Sequence, residues 1–448
     1  MGKMGIRKYL LPAALSVLML PALLRPAGAL DVKREVLPNG LTVIQAERHN
    51  LPLVVINLLV KASPLEEPRE KAGLAGMTAS LLTDGTKTRS ASAISNEVDY
   101  LGASLVAGTN YDYTTVTLTV LKKNIEKGFS IFSDAVLNPA FPEAELRRQK
   151  ARKKGELKQD EEEPSFVAEK AFRKAVYGDE AYGRLVAGNP AAIDAITRAD
   201  VVKFHSDYYV PNNAILTVAG DLTPAELKGL IGRYLSPWRE KPVPERPVSM
   251  KAEPNKKETI LIDRDLTQAN MVLGYQGISR SSPDFYAASV MNYIFGGGGF
   301  ASRLMENIRQ KRGLAYDVHS FFTVNVYPGL FEVVVQTKNK SAGEVLGQIK
   351  STMEGMRAGL VEKGELEDAK AYLTGSFPLR LDTTRKIAEF LGAAEFYGLG
   401  NDFIGKYPGY INRVTAEEVL DAARKYLHPD NYVLVVVAKQ SEARIKAK

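Results

Sequence analysis

An internal repeat constrains this chain more than any other feature. Residues 196–219 recur as residues 414–437: Thr197 pairs with Thr415, Tyr208 with Tyr426, Pro211 with Pro429 and Asn213 with Asn431, always 218 positions apart. Each copy reads as an amphipathic helix, a Pro-Asn or Pro-Asp turn and a buried strand, so the chain is built twice from one unit. Fainter correspondences extend the repeat. Phe141–Lys150 and Glu362–Lys370 both open a long polar-faced helix, and the alternating strand Thr115–Val120 has a counterpart in Leu330–Thr337.

The order strand, helix, long strands, paired helices and closing strand predicts an α+β fold. Each of two homologous domains should be a mostly antiparallel sheet with helices packed on one face. Leu37-Pro-Asn-Gly40 should set the first hairpin, since Asn-Gly readily takes the positive φ such a turn needs. Pro237, Pro242, Pro244, Pro247 and Pro254 lie in a charged stretch that reads as a linker. The expected organisation is therefore a signal peptide over 1–29, a first repeat over 30–236, a linker over 237–257 and a second repeat over 258–448.

Lys3, Arg7 and Lys8 precede an apolar run, Leu10–Leu24, that Pro12 and Pro21 interrupt, and Ala27-Gly28-Ala29 offers small residues for cleavage. That pattern is a secretory signal rather than a membrane span, and it points to a bacterial periplasm or the outside of the cell. The segment carries four basic residues and no acidic one, so its removal lowers the formal charge from +7 to +3. A nucleic-acid partner then loses its electrostatic basis. With no cysteine in the chain there are no disulfides, and stability must come from large cores.

The segment Gly73-Leu-Ala-Gly-Met-Thr-Ala-Ser-Leu-Leu82, followed by Gly85-Thr86, resembles the signature helix of the pitrilysin and insulinase-type zinc peptidases, the inverzincins. Their pattern is G-x-A-H-x-x-E-H-M-L and then G-T, so Gly76, Ala79 and Ser80 stand where the first His, the Glu and the second His would be. A catalytic zinc needs three protein donors and a water, with a carboxylate to activate that water. Glycine and alanine donate nothing, and a neutral serine hydroxyl is a poor zinc ligand. The family's third ligand corresponds to Glu156, eight residues before Pro164. The only histidines are His49, His205, His319 and His428, with no pair at metal spacing, and each reads as a surface or packed imidazole. The chain should carry no zinc of its own and be inactive alone.

The resemblance covers nearly the whole chain after the signal and implies two α/β roll domains. It also assigns a site in the second half. Gly296, Gly297, Gly298 and Gly299 resemble the glycine-rich loop of the zinc-less subunit of mitochondrial processing peptidase, which implies substrate capture. The bland alternative is helix capping. A phosphate cradle does not fit, because the G-K-[ST] of a P-loop is missing. Arg309 and Tyr316, seven residues apart, match the family's pair that binds the scissile carbonyl and its oxyanion.

One strand departs from the pattern. Leu105-Val-Ala-Gly-Thr-Asn-Tyr-Asp-Tyr-Thr114 matches the family's substrate-holding edge strand, with Thr109, Asp112 and Thr114 kept, but places Val106 where an Asn is expected. Backbone pairing with a peptide needs no such side chain, so peptide affinity can persist. Ala181–Gly188 also follows the family and reads as packing. The resemblance implies a zinc-less subunit of a heterodimeric periplasmic peptidase, whose homologous partner bears H-x-x-E-H and the zinc. The alternative is a scaffold or peptide-binding protein of the same fold with no part in proteolysis.

Overall fold

The computed structural model describes residues 30–245, 250 and 257–446. The expected signal segment and much of the expected linker lie outside the described residues. Among the described residues no helix is long and apolar enough to cross a membrane.

The first half forms a six-stranded sheet from β1 (Val32–Val36), β2 (Thr42–Glu47), β3 (Leu53–Val60), β4 (Ser104–Thr109), β5 (Thr114–Leu121) and β6 (Ala214–Gly220), in the order β1-β2-β6-β3-β5-β4. The second half forms a five-stranded sheet from β7 (Glu258–Asp263), β8 (Gln268–Gln276), β9 (Ala315–Phe322), β10 (Leu330–Lys338) and β11 (Val433–Ala438), in the order β7-β11-β8-β10-β9. Without β1 the two orders are the same. In each sheet one pair is parallel, β2 with β6 and β7 with β11, and the rest are antiparallel.

Local chemistry explains why the repeat folds twice alike. Thr197 accepts a hydrogen bond from the Asp200 N–H while the Asp200 carboxylate accepts from Thr197 N–H, which caps the helix Arg198–Tyr208. Thr415 and Glu418 do the same for the helix Ala416–Tyr426, so the threonine shared by both copies supplies the helix start. The first hairpin forms at Asn39-Gly40 as expected. Gly40 has φ +82°, and a Cβ there would approach Asn212 Cβ to 2.6 Å.

Each half packs its own helices on one sheet face. Val54, Ile56, Leu58 and Val60 of β3 join Leu74, Phe129, Phe132 and Phe204 in one core, and Met271, Leu273, Val333 and Val335 join Phe295, Ile308 and Ile349 in the other. The opposite faces are also buried, each by a helix from the other half. Ile387, Ala388 and Leu391 of the helix Thr384–Phe396 pack on Val55, Leu59 and Ile215. Val167, Ala168 and Phe172 of the helix Pro164–Tyr177 pack on Val272, Val433 and Val435. Gly274 makes room for that contact, since a Cβ there would lie 2.9 Å from Phe172 Cζ.

Polar groups pin the exchange. Thr217 Oγ1 donates to Ala388 O at 2.8 Å, and Arg34 and Glu395 form an ion pair at 2.8 Å. Asp112, buried, accepts from the hydroxyls of Tyr182 and Tyr397 and, at 3.0 Å, from the Val326 N–H. Residues from both halves thus converge on one carboxylate.

Candidate functional site

The helix Leu74–Leu81 occupies the place of the family's metal-binding helix, and its start is built with care. Gly73 has φ +99°, and Glu67 accepts from the N–H groups of Gly73 at 3.0 Å and Ala75 at 2.7 Å. These bonds satisfy donors a helix start leaves unpaired. Burial nevertheless pushes the Glu67 carboxyl up to about 7.

No donors project from this helix. A Cβ on Gly76 would meet Val186 O at 3.5 Å, Ala79 is fully buried, and Ser80 Oγ turns back to donate to Gly76 O at 2.9 Å. Glu156 lies on the adjacent helix Glu143–Asp160, where Arg152 and Lys153 each reach its carboxylate at 3.2 Å. Among the described residues no group of three or more His, Cys, Asp or Glu side chains is placed to hold a metal ion. This donor set does not fit the family's zinc.

The four histidines serve local contacts. His49 sits between Asp221 and Glu47 at 2.6 and 2.9 Å, His319 lies 2.7 Å from Asp317, and His428 packs edge-on to the Tyr275 ring. His205 places Nε2 2.8 Å from Val136 O, and burial depresses its pKa to about 4.

β4 is the outermost strand of the first sheet and, among the described residues, pairs only with β5. Val106 on it is 42% exposed. Thr109 and Thr114 bond to each other at 2.7 Å, and Thr114 also donates to Ala62 O. Asp112 of the same motif is the buried clasp between the halves, not a group facing a ligand. The segment Ala181–Gly188 packs as expected: Tyr182 is fully buried against Asp112, and a Cβ on Gly188 would collide with Ala72 O at 2.0 Å.

In the second half the structure brings the predicted residues together. The chain winds as a π-helical turn over Tyr293–Gly297 and again over Met305–Gln310, an uncommon conformation that recurs at functional sites. Arg309 lies in the second turn. Tyr316 lies on β9, the edge strand of its sheet. The pairing register shifts there, with Asp317 opposite Gln336 and Ala315 opposite Thr337, so Tyr316 is the unpaired residue of a bulge. Tyr316 is 79% exposed. The Arg309 guanidinium sits 4.5 Å from the centre of its ring. Both donors therefore reach one patch of surface, and the Arg309 side chain has no hydrogen bond or ion pair to another described residue.

The glycine run adjoins this patch. A Cβ on Gly296 would lie 2.5 Å from Ser320 Oγ, one on Gly297 2.5 Å from Asn292 Nδ2, and one on Gly298 2.7 Å from Tyr293 O. Gly299 has φ +57° and open space around it. Gly296 lies tight against Ser320 on β9, while Gly297 and Gly298 lie tight against Asn292 and Tyr293 of the preceding turn, and Asn292 bonds the hydroxyl and carbonyl of Ser320. Sequence reasoning missed Phe300, directly after the run, which is 63% exposed and whose ring centre lies 4.6 Å from the Arg309 guanidinium. It also missed Glu67. Nothing in the local pattern marks either residue.

Comparison with known proteins shows the family and the fold. Residues 42–189 match the family "Insulinase (Peptidase family M16)" and residues 195–373 match "Peptidase M16 inactive domain". An uncharacterized zinc protease of Bacillus subtilis is 24% identical over 91% of this chain and 98% of its own. Another from Mycobacterium leprae is 28% identical over 90% and 91%. Among solved structures, a peptidase M16 inactive domain from Pseudomonas fluorescens superposes with a TM-score of 0.85 at 28% identity, covering 91% of this chain and 98% of that one. A protease from Helicobacter pylori, 21% identical, shares the fold with a TM-score of 0.83 over 91% and 100%.

Proposed function

The chain belongs to the M16, or insulinase, peptidase family as a non-catalytic member, and from that premise we propose that it is the zinc-less subunit of a heterodimeric periplasmic peptidase. In this reading the chain holds no zinc, and a homologous partner supplies the metal and the H-x-x-E-H helix. This chain contributes Arg309 and Tyr316 to the partner's substrate.

One observation carries the reading. The metal helix keeps its place, its cap and its packing but has no donors, whereas Arg309 and Tyr316 remain assembled at an exposed surface. A guanidinium and a phenol are strong hydrogen-bond donors, and a pair fixed in advance stabilises negative charge developing on a peptide carbonyl oxygen at little reorganisation cost. The outer edge of β4 and the surface beside Gly296–Gly299 would hold the peptide chain.

The test is reconstitution. The chain is co-expressed with an M16 homologue bearing H-x-x-E-H from the same genome, and complex formation and peptide cleavage are measured. Cleavage by the pair, absent from either chain alone, supports the proposal. A complex that forms without any gain in cleavage transfers support to the scaffold reading.

A further inference from the structure

We propose that Phe300 is a positioning residue that, together with Tyr316, clamps the guanidinium of Arg309 in the orientation it needs to meet a peptide carbonyl; this rests on the role given to Arg309 above. Arginine is a flexible side chain, and ordering it costs rotamer entropy. Arg309 has no carboxylate or carbonyl of its own among the described residues to fix it. Instead its guanidinium lies 4.6 Å from the centre of the Phe300 ring and 4.5 Å from that of Tyr316. Cation–π attraction to the two rings offsets part of that cost and uses none of the five N–H donors.

Phe300 is held for the task. Among the described residues it is the only exposed phenylalanine. Its carbonyl accepts from Gln310 Nε2 at 3.0 Å, which ties it to the residue after Arg309. Ser302 Oγ closes the turn behind it by donating to Gly299 O at 2.7 Å. Asn292 fastens the preceding turn to Ser320, on the strand that carries Tyr316. The three members of the clamp therefore sit on elements bonded to one another, and the tight packing of Gly296 to Gly298 sets where Phe300 emerges.

Two measurements test the clamp. In the chain alone, labelled with ¹⁵N-arginine, the Arg309 Nε–H resonance, assigned through Arg309→Lys, should carry a ring-current shift. Phe300→Leu should move it toward the free-arginine position, and Phe300→Trp should not. In the reconstituted pair, Phe300→Leu should lower kcat about tenfold with KM little changed, Phe300→Trp should restore it, and Phe300→Leu should add nothing in an Arg309→Ala background. An unmoved resonance, or an unchanged kcat in Phe300→Leu when Arg309→Ala is impaired, overturns the clamp. If Arg309→Ala itself leaves kcat unchanged, the proposed function fails, and the resonance alone then decides whether the clamp exists.

Discussion

Thr217, in the middle of the first sheet, donates its hydroxyl to the carbonyl of Ala388, 171 residues further along the chain, at 2.8 Å. That bond belongs to a reciprocal exchange in which each half covers the far face of the other half's sheet with one helix. Neither sheet has both faces covered without the other half, so the two halves should fold as one unit.

Phe172 is the fully buried anchor of the helix that the first half contributes. Phe172→Ala should destabilise the protein by about 3–5 kcal/mol, as large-to-small changes in a packed core do. Urea unfolding followed by circular dichroism and by Trp238 fluorescence should give a single coincident transition in wild type and variant alike. Two separated transitions would contradict the exchange as the source of cohesion.

Asp112 should be as important to stability as a core residue, because three donors from both halves meet on it. Asp112→Asn replaces an acceptor oxygen with an NH₂ group and should cost about 2–3 kcal/mol, while Tyr397→Phe removes one bond to a charged acceptor and should cost about 1.5–3. Denaturant midpoints of the two variants and of their double mutant should show less than additive losses. Full additivity would mean that the clasp does not act as a unit.

Glu67 should make stability pH-dependent. Its folded pKa of about 7 lies above the ordinary value of 4.5, so the folded state holds a proton that the unfolded chain releases between these values. Its contribution is complete below about pH 4.5 and is lost as pH rises through 7, at no more than about 1.4 kcal/mol per pH unit. His205 acts in the opposite sense, since its pKa is depressed to about 4 from 6.5 and stability is lost as pH falls through that window. The measurement is therefore the difference between wild type and Glu67→Gln in urea midpoints at pH 5 and pH 8. The variant should lose less on going to pH 8, and identical losses would show that Glu67 does not titrate there.

Metal content tests the degenerate helix. The purified chain should bind no stoichiometric zinc, because Gly76, Ala79 and Ser80 offer no imidazole or carboxylate. Gly76→His, Ala79→Glu and Ser80→His introduced together should restore measurable zinc binding by calorimetry, with Glu156 as third ligand. Adding Glu156→Ala should abolish it. One zinc per wild-type chain would contradict the account.

Much of this was legible in the sequence, for reasons that differ by element. The repeat at an offset of 218 residues is a local pattern, so it foretold two alike sheets and the matching helices at 198–208 and 416–426. The resemblance supplied Arg309 and Tyr316, and the structure sets them side by side. The exchange was not legible. Val167 and Phe172 make an ordinary amphipathic helix, and nothing in that periodicity says whose sheet it will cover. Asp112 matched the edge-strand motif, yet its clasp depends on Tyr397, 285 residues away. Phe300 and the Tyr316 bulge are likewise properties of packing and register, which a one-dimensional pattern does not carry.

The central claim is that this chain donates its Arg309 and Tyr316 to catalysis on a partner. The most direct measurement is steady-state peptide cleavage by the reconstituted pair, with zinc content and complex mass as controls for assembly. Arg309→Ala and Tyr316→Phe in this chain should each lower kcat on the order of 10² to 10³-fold, as loss of an oxyanion donor does, while the complex forms and holds zinc as before. Full turnover with both variants would contradict the claim and leave these two residues as parts of a scaffold.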